Sequence, residues 1–364
     1  NNKIYITKLQ SEIIGGIPSS NSIGIETLDS LGGNISLEYL VKASDPLPKK
    51  VTRIFKTSEL IKAGTSDSIR IKLWEGDIES PITDNRYIGP FLIEGGNLED
   101  NTMIPIGSDI VCDFEILDSG NIIIKAEIPA VTQSFDSGQN LYASQEGQFD
   151  FSSASELLED RTRNTIDRFE EIQAVFSDPK LNESKKKLDD ILTKDLTKLD
   201  TEDTQKAFED IQSAKKVLAE VKKNNLEEIR QIELDTTTKL FNDVIKQYST
   251  ESEIDAFKNL TNTAQRSIDS GSNDFDNYLS ELRERNFKIL WRQDWYVLER
   301  FSSLQSNPYL FMDKALFRKL VTAGSMASQS GDIDKLRGVV AGLYQIKIES
   351  GDDEMIDKAN IIRG

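Results

Sequence analysis

The side chains that most often perform covalent chemistry are nearly absent from this sequence. It contains no histidine, and Cys112 is its only cysteine. Serine and cysteine nucleophiles are normally activated by a histidine base, and catalytic zinc is usually held by histidine or by several cysteines. A single cysteine also excludes an intrachain disulfide. We therefore expect that the chain is not an enzyme and holds no metal ion.

The loops that could hold a phosphate group or calcium lack the required spacing. No glycine-rich loop leads into Lys-Ser or Lys-Thr at the start of a helix, so nucleotide binding is not expected. The acidic loop at 269–274 lacks the alternating ligands and the closing glutamate of a calcium loop. The sequence therefore predicts no cofactor in this chain.

The net charge of the chain restricts the classes of molecule that it is expected to bind. Acidic residues outnumber basic ones, 62 to 44, which gives a formal net charge of −18. Such a surface repels phosphate backbones, so we expect no nucleic-acid partner. The sequence also lacks the uninterrupted apolar stretch of about 20 residues that a membrane span needs. Because a lone cysteine fits a reducing compartment, a cytoplasmic location is expected.

The first 130 or so residues have the pattern of β-strands. Apolar and β-branched residues cluster or alternate in short runs at 22–27, 35–41, 51–57, 68–74, 87–93, 110–117 and 122–128. Residues 118–121, Asp-Ser-Gly-Asn, predict a hairpin turn between the last two runs. Seven short strands joined by turns indicate an antiparallel β-sandwich.

After Ser153 the apolar spacing becomes that of amphipathic helices. Thr250 with Glu253 fits a capping box, and Asp332 is expected to cap a late helix. For Trp291 and Trp295 we favour burial in a helical core over a binding site. The predicted class is therefore α+β, an N-terminal antiparallel β-sandwich followed by an α-helical bundle. The predicted divisions are a leader at 1–18, the sandwich at 19–131, a linker at 132–152, a bundle at 153–283 and a C-terminal helical subdomain at 284–364.

Six fragments follow one another in order along the strand region. They are SIGIET at 22–27, LPKK at 47–50, VTRIFKT at 51–57, SIRIKLWEG at 68–76, NRYIGPF at 85–91 and IVCDFEILDSGNIIIKA at 110–126. Together they resemble the substrate-binding β-domain of DnaK-type 70-kilodalton heat-shock chaperones, which opens with S-L-G-I-E-T and a nearby Gly-Gly pair. Here Gly32-Gly33 follows after a short insertion.

This resemblance implies a function in protein folding under stress. The chain would bind extended hydrophobic segments of unfolded proteins, with co-chaperones as further candidate partners. ATP would be bound only by a separate nucleotide-binding domain. Since the sequence has no methionine at position 1, we expect it to be a piece of a longer chaperone.

The resemblance also implies a set of peptide-binding residues. The pocket positions that match the family pattern are Ile25, Thr27, Phe55, Ile69, Ile71 and Ile110. An arch over the peptide would be formed by Leu28, or by Leu31 given the insertion, and by Ser58 on the other side. Ile69 is expected at the pocket floor, and Ile69→Asp should abolish peptide binding in a chain that stays folded. The alternative is that the pocket positions are ordinary strand core.

Three departures from the family favour a different function. The loop at Leu28 is extended, the segment 97–109 lacks the arginine that latches the family's lid, and the helical region is larger than a lid requires. The alternative is an adaptor or structural protein whose helical region binds one specific protein partner.

Overall fold

The computed structural model describes residues 17–29, 35–65, 67–137, 154–175, 177–272, 274–311, 313–347 and 361–363. All described strands but the one at Ile361–Arg363 precede the helices, which confirms the α+β class. Three sequence-based assignments lie outside the described residues, namely Leu31, the leader before residue 17 and the linker from 138 to 152.

The β-domain is built from short strands. Within the described residues they are β1 (Ile17–Pro18), β2 (Ile23–Leu28), β3 (Ile35–Val41), β4 (Pro46–Leu47), β5 (Lys49–Thr57), β6 (Ile61–Lys62), β7 (Ser68–Glu75), β8 (Arg86–Glu94), β9 (Met103–Ile104), β10 (Asp109–Ile116), β11 (Ile122–Ile128), β12 (Gln133–Asp136) and β13 (Ile361–Arg363). All seven predicted runs coincide with strands, which confirms them. The predicted hairpin turn is also present, with Gly120 at φ +81° between β10 and β11.

The largest sheet consists of two parts that one strand connects. The strand order is β12-β11-β10-β5-β13-β2-β7-β8, with β3 paired to the other edge of β2. Pairing within each part is antiparallel. Strand β13 comes from the far end of the sequence and lies between β5 and β2, antiparallel to the first and parallel to the second.

The two parts of the sheet enclose an apolar core. Strand β11 shows the pattern that produces it, because Ile122, Ile124, Ala126 and Ile128 alternate with more exposed residues and are all buried. Side chains two positions apart on a strand point to the same face, so one face of β11 lies against the core. Each large apolar side chain buried in this way contributes about 1.5–3 kcal/mol.

The rest of the chain is helical. The described α-helices are α1 (Ala154–Gln173), α2 (Pro179–Leu192), α3 (Thr201–Asn224), α4 (Leu226–Leu240), α5 (Glu251–Asp269), α6 (Phe275–Trp291), α7 (Asp294–Ser306), α8 (Lys314–Ser330) and α9 (Ile333–Gln345). The capping box of Thr250 and Glu253 is confirmed at the start of α5, and Asp332 caps α9 by accepting from the Lys335 amide.

The aromatic stretch around α6 and α7 is only partly buried. Trp291 packs against the core shared by α7, α8 and α9. Trp295 is 41% exposed and contacts the ring of Tyr248 at a centroid distance of 5.8 Å. The predicted burial of both tryptophans is therefore wrong for Trp295, which lies in the first turn of α7 with one side toward solvent.

The structure differs from the predicted divisions at two places. Gln133–Asp136, within the predicted linker, forms β12 and pairs with β11. Ile361–Arg363, within the predicted C-terminal helical subdomain, forms β13 in the β-domain. Both strands are too short for an alternating pattern to appear in the sequence, and long-range pairing determines their conformation. The other boundaries stay predictions.

Gly324 is expected to be required for the packing of α7 against α8. A Cβ atom at this position would overlap the ring of Phe301, whereas a Cβ atom at Gly338 in α9 would meet no atom within 4 Å. Gly324→Ala should therefore destabilise the chain by about 1–3 kcal/mol through overpacking. Gly338→Ala, the matched control, should stabilise it by up to about 1 kcal/mol because alanine favours helix. Urea unfolding measures both, and equal effects would contradict the expectation.

Candidate functional site

The most unusual feature of the β-domain is the cleft between β2 and β5. Strand β2 pairs with β3 along one edge, and along the other with β7 at Ile23–Ile25 and with β13 at Leu28. Strand β5 pairs with β10 along one edge and with β13 along the other. The cleft therefore presents two strand edges that face each other, and β13 pairs with both.

The backbone groups of Lys56 point into this cleft. The Thr57 amide donates to the Ser108 carbonyl at 3.0 Å, and the Gly107 amide donates to the Thr57 carbonyl at 2.7 Å. Hydrogen-bonding directions alternate along a strand, so Lys56 turns its N–H and C=O the other way, toward β13. Its partner there is Ile362. An extended segment in this position satisfies backbone groups that would otherwise lie at a sheet edge.

One side chain of β13 enters the core. Ile361 is fully buried and belongs to the same apolar cluster as five of the predicted pocket residues. Those five are Ile25, Phe55, Ile69, Ile71 and Ile110. Thr27, the sixth, is also buried and donates from Oγ1 to the Ser36 carbonyl at 3.3 Å. The structure thus brings all six together beneath the cleft, as part of the main core rather than of a separate pocket.

A charged group on the same face of β13 follows two residues later. Arg363 donates from Nε to Glu38 Oε2 at 3.0 Å, and Arg53 Nε lies 2.7 Å from Glu38 Oε1. Glu38 belongs to β3 and Arg53 to β5, so this carboxylate connects the two parts of the sheet. Each of its two oxygens therefore has a guanidinium partner, and both contacts are charge-assisted.

The predicted arch residues lie on either side of β13. Leu28 is half-buried and pairs with Ile362. Ser58 is half-buried and directly follows Thr57, the partner of Ile361. Leu31 is outside the described residues, so the second arch alternative stays a prediction.

Sequence reasoning missed Glu38, Arg53 and the whole of β13. Glu38 interrupts the mainly apolar strand β3, which is a local signal that its carboxylate has a partner. Arg53 lies among other polar residues of β5 and gave no such signal. Ile361–Arg363 carried no such signal, because an Ile-Ile-Arg triplet occurs in many settings.

The helical region is attached to the β-domain far from this cleft. Arg168 of α1 donates from Nη2 to Asp84 Oδ2 at 2.7 Å. Gln212 of α3 donates to the Asp84 carbonyl at 2.8 Å. Asp84 lies in the loop between β7 and β8, which adjoins Ile23 at the start of β2. Leu28 is five residues further along that strand, about 16 Å away.

Cys112 is buried in the core of the β-domain. Burial raises the pKa of the Cys112 thiol to about 12, so it is not a nucleophile near neutral pH. Among the described residues no three or more acidic or cysteine side chains are grouped to bind a metal ion. No described helix combines the length and hydropathy needed to cross a membrane.

The chain matches no model of a known protein family, and a search of curated proteins likewise finds no match.

Proposed function

We propose that this chain binds extended polypeptide segments in the cleft between β2 and β5, as the peptide-binding region of a DnaK-type chaperone. The observation that carries the proposal is β13, an extended three-residue segment that pairs with both edges and buries one isoleucine. A cleft that accommodates this segment has the chemistry to accommodate others.

The physical basis has two parts. Every polypeptide offers the same backbone donors and acceptors, so pairing with strand edges gives affinity for many sequences. One buried position then selects segments that carry an apolar side chain there, and such segments are exposed mainly in unfolded proteins. Unfolded polypeptides are therefore the proposed partners, ATP would be bound by a separate domain, and the cytoplasmic location still rests on the single cysteine.

Peptide binding is testable by altering the peptide rather than the cleft. A short fluorescein-labelled peptide with a central Ile-Ile-Arg triplet should bind the full chain or its Ile361→Asp variant in an anisotropy titration. N-methylation of the second isoleucine should weaken binding about tenfold or more, because it removes the donor that faces Lys56. N-methylation outside the triplet is the matched control and should change little. If neither form of the chain binds the peptide, the proposed function is rejected.

A second candidate is an adaptor whose helices bind one specific protein. It is favoured by exposed apolar side chains on the helical region, including Leu240, Trp295 and Leu298. An array of unrelated apolar peptides separates the two functions. Binding of many peptides on the array supports the chaperone. The adaptor is supported if neither wild type nor Ile361→Asp binds any peptide on the array and if one protein partner binds tightly to wild type but not to Trp295→Ser.

A further inference from the structure

The proposed peptide cleft already contains a segment of this same chain. Three contacts hold β13 there, and each resembles what an external peptide would have to make. Ile361 is buried in the core, Ile362 pairs with Lys56 and Leu28, and Arg363 donates to Glu38.

We propose that the strand Ile361–Arg363 is an internal competitor, which lies in the cleft in cis and must leave before an external segment can bind. This inference rests on the proposed function and adds regulation of the same site. A tethered competitor at an effective concentration on the order of millimolar would mask a cleft of moderate affinity. The apparent affinity for external peptides would then equal the intrinsic affinity of the cleft multiplied by the fraction of chains in which β13 is out.

The register of β13 leaves little freedom for a different arrangement. Ile361 and Arg363 point to one face of the strand, the first toward the core and the second toward Glu38. A slip by one residue would exchange the faces and put Ile362 in place of either side chain. A slip by two would place the Arg363 guanidinium in the apolar core. One register is therefore strongly preferred.

The rest of the β-domain does not depend on β13 for its pairing. Strand β5 is held by β10 along Lys49–Lys56, and β2 by β3 along its whole length. Glu38 and Arg53 join the two parts of the sheet without Arg363. By contrast, β13 contributes three residues, of which only Ile361 is buried. The strand can therefore leave while the domain stays folded.

The first test expels the strand. Ile361→Asp puts a carboxylate at a fully buried position in the main core, so β13 should leave the cleft. The labelled Ile-Ile-Arg peptide should then bind about 10 to 100 times more tightly than it binds wild type, the factor that corresponds to the burial of one isoleucine. The control is Met326→Asp, which adds the same charge at a side chain that is 64% exposed on α8. This variant should keep β13 in place and bind as wild type does.

The second test fixes the strand in the cleft. Directly paired residues such as Lys56 and Ile362 have Cα atoms about 5.5 Å apart, which suits a disulfide. The Lys56→Cys, Ile362→Cys double variant should lose at least about tenfold in peptide affinity when oxidised by diamide and recover it in dithiothreitol. Cys112 should not interfere, because it is buried and its thiol stays protonated.

The outcomes separate the two proposals. Equal peptide affinity in wild type, Ile361→Asp and the oxidised double variant would overturn the internal competitor and leave peptide binding standing. A different result is that Ile361→Asp binds the peptide more tightly than wild type at high protein concentration but equally tightly when wild type is diluted to monomers. That result would show that β13 comes from a second copy of the chain, and it would also overturn competition in cis. If none of these forms of the chain binds the labelled peptide, both the proposed function and the internal competitor are rejected.

Discussion

Ile69→Asp is expected to unfold the β-domain rather than only to prevent peptide binding. Ile69 is fully buried in β7 and pairs with Ile93, which is also fully buried. An unpaired carboxylate in such surroundings costs several kcal/mol, and the lost apolar packing adds about 2–5 kcal/mol. The sum approaches the whole stability of an ordinary domain, about 5–15 kcal/mol. The sequence-based expectation of a folded Ile69→Asp chain is therefore replaced by this one.

The measurement is urea unfolding followed by circular dichroism, with hydrogen exchange of the β7 amides as a local readout. Ile54→Asp is the matched control, because Ile54 is 52% exposed on the outer face of β5. It should change the free energy of unfolding by less than about 1 kcal/mol. Ile69→Val, which should cost about 0.5–1.5 kcal/mol, is the variant suited to binding studies. An unchanged urea midpoint for Ile69→Asp would show that the core can rearrange around this position.

Arg168→Ala is expected to loosen the helical region from the β-domain. The Asp84 side chain is 4% exposed and that of Arg168 is 29% exposed, so the substitution leaves a buried carboxylate without its guanidinium partner. Removing one member of a buried ion pair costs about 3–5 kcal/mol, and the partial exposure of Arg168 places the expected loss at the lower end, about 3 kcal/mol. The loop Ile82–Asp84 should lose hydrogen-exchange protection at the same time.

The same helix supplies the control for this prediction. Arg163 pairs with Glu159 on α1, but both side chains are about half exposed or more. Arg163→Ala should therefore cost no more than about 0.5 kcal/mol. Asp84→Asn in the Arg168→Ala background should recover part of the stability, because a neutral amide is less costly to bury unpaired than a charge. Equal losses for Arg163→Ala and Arg168→Ala would contradict the structural role of Asp84.

The position of the Arg168–Asp84 ion pair allows a test of whether the helical region influences peptide binding in the cleft. Asp84 and Leu28 lie toward opposite ends of β2. Peptide affinity in the Arg168→Ala variant therefore reports whether attachment at Asp84 influences the cleft, which is the coupling that a lid requires. The family resemblance by itself implied a latch from the segment 97–109, where this chain has no arginine.

The local sequence pattern was sufficient to predict strands, turns and helix caps, because these depend on residues that are close together in the chain. The alternation in 122–128 predicted β11, and Asp118 to Asn121 predicted the turn before it, because pleat and turn geometry are short-range properties. The capping box at Thr250 was predictable for the same reason, since its hydrogen bonds span only three residues. Composition likewise excluded histidine-dependent chemistry before any fold was considered.

The sequence by itself therefore determined the class of fold and the positions of the seven predicted strands along the chain. Only the tertiary structure decided what lies between β2 and β5 and where the helices attach. Glu38 and Arg363 are 325 residues apart, and Arg168 is 84 residues from Asp84. Pairing over such separations leaves no periodicity in the sequence, because it depends on which strand edges and charges the folded chain brings together. In the folded molecule the pocket positions that the resemblance implied are buried core residues, and Ile361–Arg363 lies between the strand edges of β2 and β5.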